Sequence, residues 1–201
     1  STSEAYTWLA KLLSDPGDAF AVPSPSYPLF DHLLGLESLR SETYRLAYDG
    51  RWHTDVGSVT RLFNDSAPRA FVDVSPNNPT GHCLRGSPLA RVADVLADRD
   101  TPLIVDEVFL DYTRDDTTPS SLLAHLQQRS MEDRPPTVVL SGLSKVAALP
   151  GAKVGWMVLD GPRGWRAEAR RRLRYIADTF LSVTTVGQLA VPEVLGATED
   201  L

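Results

Sequence analysis

Five short apolar runs, at 19–22, 70–74, 103–105, 137–140 and 154–159, recur between stretches with helical spacing, and they constrain the fold of this chain more than any other feature. Runs of four to six residues that stay largely apolar, instead of alternating with polar ones, read as strands covered on both faces. The intervening segments supply the covers. Residues 3–13 are predicted helical, with Glu4 in the first turn and Asp15-Pro-Gly17 as the stop. Helices are also predicted from Pro28 to Gly35, around 58–63 and over 122–128, and Ser87-Pro88 opens one whose stripe is Leu89, Val92, Val95 and Leu96. A further strand is expected at 45–47 before an Asp49-Gly50 turn, a polar loop through Thr118, and an amphipathic stretch over 165–195. Strands alternating with helices predict an α/β fold with a mostly parallel sheet covered on both faces.

The 201 residues are enough for one full core, so one domain is expected. A formal net charge of -6 argues against a nucleic-acid surface. The arginines at 163, 166, 170, 171, 172 and 174 do not reverse that reading. Ala169, Leu173, Ile176 and Phe180 repeat beside them at helical spacing, which puts the charges on the outer face of a packed helix. No apolar run reaches membrane-spanning length. Cys83 is the single cysteine, read as a small filler thiol; with no internal disulfide possible, a reducing cytoplasmic setting is expected. His32, His53, His82 and His125 lack ligand spacing, so no metal site is expected. No Gly-x-Gly-x-x-Gly fingerprint supports a nucleotide-binding sheet.

Lys145 follows the strand at 137–140 and stands among small residues. Partial burial and a second cation, Lys153, would favour the neutral amine that attacks an aldehyde, and pyridoxal phosphate is the natural aldehyde for such a lysine. Two upstream segments fit the same cofactor. Ser75-Pro-Asn-Asn-Pro-Thr-Gly81 is a loop after a strand, and the run at 102–109 carries Asp106 out of an apolar sequence. In parallel sheets ligands sit beyond the carboxyl ends of the strands, where Asn78, Asp106 and Lys145 are expected.

Together with Ser1-Thr-Ser-Glu-Ala5, Asp15-Pro-Gly-Asp18 and Pro23-Ser-Pro-Ser-Tyr-Pro28, these segments resemble, in order and at about the family's spacing, the large domain of fold-type I pyridoxal-phosphate enzymes of the class I/II aminotransferase group. The resemblance covers nearly the whole chain and implies a three-layer α/β/α sandwich. It implies that 1–201 is an excised large domain, lacking an N-terminal arm and a small C-terminal domain. It further implies a homodimer acting on amino acids and 2-oxo acids. By the same resemblance Lys145 carries the cofactor as a Schiff base and then serves as general base. Asp106 pairs with the ring nitrogen, Asn78 bonds the 3-oxygen and Tyr27 stacks on the ring. Thr2, Ser3, Glu4, Ser141, Ser144 and Lys153 surround the phosphate.

Three positions depart from the family pattern. Lys153 stands where most relatives carry arginine, keeping the charge without the bidentate grip. Phe109 replaces a tyrosine that donates to the 3-oxygen, which should favour protonation of the Schiff base. Gly142 stands where many relatives have serine or threonine, leaving Ser141 or Ser144 to compensate. The expected activity is amino-acid transamination. The alternatives are a lyase, decarboxylase or cyclising enzyme of the same fold, or the cofactor-binding domain of a transcriptional regulator.

Overall fold

The structure, a computed structural model, describes residues 1–112 and 120–198. The polar loop expected through Thr118 lies largely outside these residues. Seven strands form one sheet: β1 (Ala19–Ser24), β2 (Arg40–Tyr48), β3 (Trp52–Thr54), β4 (Ala70–Val74), β5 (Leu103–Asp106), β6 (Thr137–Gly142) and β7 (Gly155–Asp160). Their order is β3-β2-β1-β4-β5-β6-β7. The inner pairs run parallel, whereas β3 pairs with β2 and β7 with β6 in antiparallel fashion.

Every residue of β4 and β5 is buried, as a strand covered on both faces requires. Successive side chains go to opposite faces. Phe71, Leu103, Val105 and Val139 join one apolar cluster, while Val72, Ile104, Val138 and Leu140 join the other. Helices α3 (Val56–Asp65), α4 (Gly86–Ala97) and α5 (Leu122–Leu126) supply the first cluster; α1 (Thr2–Leu13) and α2 (Leu29–Leu36) supply the second. The expected three-layer α/β/α arrangement is therefore present.

Three expectations are corrected. The strand placed at 45–47 is the longer β2, and beyond the Gly50 turn β3 returns alongside it. The stretch at 165–195 is two helices, α7 (Arg163–Asp178) and α8 (Thr185–Thr198). Phe180 leaves the helical stripe and instead sets its ring 5.7 Å from that of Trp8. The arginine-rich outer face holds: Arg171 and Arg172 both bond Glu168 on exposed α7 surface.

Register fixes where the chemistry lies. Asp106 is paired with Val74 on one side and Leu140 on the other, so β4 and β5 end level with one another and β6 runs two residues further, to Gly142. Neighbouring strands are about 4.8 Å apart. The loop at 75–81, the Asp106 carboxylate and the Lys145 turn consequently leave the same edge of the sheet.

Candidate active site

Asp106 is the last residue of β5, and alternation along the chain sends it and its neighbour Glu107 to opposite faces. Its Oδ2 accepts from the buried Tyr6 hydroxyl of α1 at 3.1 Å, and its Oδ1 accepts from Val108 N at 3.2 Å. Among the described residues no cation forms an ion pair with it. Burial raises its pKa to about 6, against the two hydrogen bonds, with the nearby Glu107 adding to the rise. Glu107 has a structural task on the other face, accepting from Leu122 N at 2.6 Å at the start of α5.

Lys145 lies in the one-turn helix α6 (Leu143–Val146), directly after β6. The expected partial burial is corrected: so short a helix at the sheet edge leaves Lys145 exposed. Its Nζ lies 5.3 Å from the centre of the Phe109 ring, so the phenyl that stands where the resemblance expects a tyrosine faces the lysine itself. Tyr112 donates to the Lys145 carbonyl at 3.0 Å, tying the lysine turn to the chain that follows Asp106.

Gly142 has a physical reason in this chain. A β-carbon there would come 2.8 Å from Val154 O and 3.1 Å from Gly155 Cα, so the approach of β7 leaves no room for a serine. Ser141 and Ser144 flank this point, both half-buried. Lys153 has φ 53°, in the left-handed region, and turns the chain into β7. A β-carbon at Gly155 would lie 3.3 Å from both Thr2 N and Ser141 O. The start of α1, the end of β6 and the start of β7 therefore converge on one corner. The first amides of α1 point to this corner without a side-chain cap, leaving donors free for an anion.

Ser3 is exposed and Thr2 half-buried at that helix start. Glu4 lines a groove of about 550 Å3 with Trp8, Trp156 and Arg174, and Ser1 and Gly155 of the same corner line it too. Asn78 and Tyr27 are exposed on the same edge as Asp106. Their loops are joined by the buried Asn77: Ser26 Oγ donates to its Oδ1 at 3.0 Å, and its Nδ2 donates to Pro25 O and to Thr80 Oγ1. His82, which burial holds neutral with a pKa of about 4, lies 2.9 Å from Thr54 Oγ1 and 3.2 Å from Trp52 O, anchoring the loop to β3.

Sequence reasoning missed Tyr6, Asn77 and Tyr112. An aromatic in an amphipathic helix reads as core, and a turn asparagine beside another gives no sign of which is buried. The neighbouring carboxylates Asp106 and Glu107 were the one available signal, since alternation must send one to each face.

A family profile described as "Aminotransferase class I and II" matches residues 1–201. Glutamate-pyruvate aminotransferase AlaA of Escherichia coli strain K12 is 26% identical over 199 residues, covering 99% of this chain and 47% of the relative. Alanine aminotransferase of Mycobacterium tuberculosis is 25% identical over 99% of this chain and 45% of its own length. The alanine aminotransferase structure from Pyrococcus furiosus superposes with a TM-score of 0.84 at 26% identity, covering 98% of this chain and 48% of that one. Cystalysin from Treponema denticola, at 18% identity and a TM-score of 0.81, shares the fold. The chain spans about half the length of the curated relatives it matches. With the family profile spanning the whole chain and the sheet edge built as described, this chain belongs to the class I and II aminotransferase family.

Proposed function

We propose that this chain is the cofactor-binding catalytic part of a pyridoxal-phosphate-dependent amino-acid aminotransferase. The observation that carries the reading is Asp106, a buried carboxylate met, among the described residues, only by neutral donors, at the same strand-end edge as Lys145. A protonated aromatic nitrogen is the kind of partner such a carboxylate lacks, and ion pairing would hold Asp106 ionised despite its burial. When bound, the cofactor supplies an aldehyde for amine exchange and a ring that accepts the electrons of a broken α-carbon bond.

The chain's residues divide the work. Lys145 Nζ holds the cofactor and, once exchanged for the substrate amine, moves the proton at the substrate α-carbon. Asp106 keeps the proton on the ring nitrogen. Asn78 offers its amide to the 3-oxygen, and the exposed Tyr27 ring offers a flat face for stacking. The amides of Thr2, Ser3 and Glu4, the Lys153 ammonium and the hydroxyl of Ser141 or Ser144 receive the phosphate at the corner where α1, β6 and β7 meet. That Gly142 cannot carry a hydroxymethyl group supports assigning the hydroxyl to one of those two serines.

The full protein is proposed to be a homodimer in the cytoplasm; among the described residues no helix is long and apolar enough to cross a membrane. Relatives named for alanine and for glutamate and pyruvate make alanine, glutamate, pyruvate and 2-oxoglutarate the first substrates to assay. Full-length protein with cofactor should transfer an amino group only when both an amino acid and a 2-oxo acid are present. Release of ammonia or carbon dioxide from an amino acid alone would reject transamination in favour of lyase or decarboxylase chemistry.

A further inference from the structure

We infer that Tyr6 is a positioning residue of this site: its hydroxyl, donated to Asp106 Oδ2, fixes and stabilises the carboxylate that grips the cofactor's ring nitrogen. The inference rests on the assignment of Asp106 made above.

The Tyr6 ring has little freedom to do anything else. It is 3% exposed, lies on the buried face of α1 with Ala5, Leu9 and Ala10, and meets the Phe30 ring edge-on at 5.4 Å. Burial and the adjoining Asp106 carboxylate push its phenol well above the ordinary value, so it remains a proton donor wherever the protein is folded. Asp106 then has one fixed donor on each oxygen, Tyr6 on Oδ2 and Val108 N on Oδ1, which sets the rotation of the carboxylate plane. A hydrogen bond to an ionised acceptor is stronger than one to a neutral acceptor, so the phenol favours the charged form that an ion pair needs.

The other titratable groups that act on this pair do so from the opposite face of the sheet, and all are acidic or phenolic. Asp73 on β4 and Tyr44 on β2 act on Tyr6, and Glu107 acts on Asp106. None of them is a cation, which leaves the Tyr6 hydroxyl as the side-chain donor that offsets the burial of Asp106. Helix α1 also links the two ends of the site. Thr2, at the phosphate corner, and Tyr6 are four residues apart and share a helix face, so one rigid turn sets the separation of phosphate and ring-nitrogen anchors.

The test compares equilibrium binding of pyridoxal phosphate with that of its analogue carrying C–H in place of the ring nitrogen. The proteins are full-length wild type, Tyr6→Phe, Asp106→Asn and the double variant. Wild type should prefer the natural cofactor, and Tyr6→Phe should weaken its binding about tenfold while leaving the analogue within about twofold. In the Asp106→Asn background Tyr6→Phe should add nothing, the signature of two residues acting through one contact. Equal weakening of both ligands would mean that Tyr6 merely supports the fold, and unchanged binding of the natural cofactor would equally overturn its role. A wild type that does not distinguish the two ligands would instead remove the Asp106 assignment. Tyr6→Met deletes the same hydroxyl with a different fill and enters the same cycle if the phenylalanine variant does not fold.

Discussion

Asp73 is the most exacting electrostatic test of this fold. It lies within β4, 1% exposed, with the Tyr44 hydroxyl 3.3 Å from Oδ1 and, among the described residues, no hydrogen-bond partner on Oδ2. Burial raises its pKa to about 7, opposed by the Tyr44 hydrogen bond and reinforced by Glu107. In the unfolded chain an aspartate titrates near about 3.9. Between these values the folded state binds more protons than the unfolded state, so stability falls as pH rises. The loss begins near the unfolded value, runs through about pH 7 and then levels off. A rise of this size is worth about 4 kcal/mol in total. Asp73→Asn keeps the shape and removes the titration. Its amide nitrogen meets the same unpartnered spot as the acid's protonated oxygen, so the variant should match wild type near the acid end. By about pH 8 the variant should lead by about 4 kcal/mol. Urea unfolding of both full-length proteins without cofactor, in steps from about pH 4.5 to 8.5, reads the difference directly, and Asp106, whose shift has no contribution from Asp73, contributes alike to both. Parallel stability profiles across that range would refute the account of a buried, proton-holding Asp73.

Two further changes probe the lysine turn. Phe109→Tyr places a hydroxyl near Lys145 and adds a donor for the cofactor's 3-oxygen, so the protonated linkage at Lys145 should lose its proton at a lower pH, by about one unit. A spectroscopic pH titration of the visible band checks this; an unchanged or higher midpoint contradicts it. Gly142→Ser should not improve phosphate binding although the family resemblance expects a hydroxyl there, because its β-carbon would press on the Val154 carbonyl at 2.8 Å. The expected cost is about 1–3 kcal/mol of stability by chemical denaturation, and a variant as stable as wild type with tighter cofactor binding would contradict the packing argument.

How much of this was legible in the sequence follows from burial. β4, β5 and β6 are covered on both faces, so they had to be written as continuous apolar runs, and they could be read as such. β2 and β3 lie toward the sheet's edge. There only Tyr44 and Leu46 are buried, on either side of exposed Arg45, a pattern that gives β2 only a faint signal over its full length. The end of α7 was hidden for a different reason: residues 179–184 contain neither glycine nor proline, while Pro192 sits inside α8. Asp106 stood out as a carboxylate ending a buried run, whereas its partner Tyr6 looked like an ordinary core aromatic until the fold brought the two, 100 residues apart, within 3.1 Å. The antiparallel turn of β7 against β6, which forces glycine at 142, is a tertiary fact that no local pattern encodes.

The central claim is that Lys145 holds the cofactor. Full-length protein incubated with pyridoxal phosphate and reduced with borohydride should yield, on peptide mass mapping, a single phosphopyridoxyl adduct on Lys145, formed together with loss of the visible absorption band. An adduct confined to other lysines such as Lys153 or Lys11, or none on Lys145 in protein that binds the cofactor, would contradict the account.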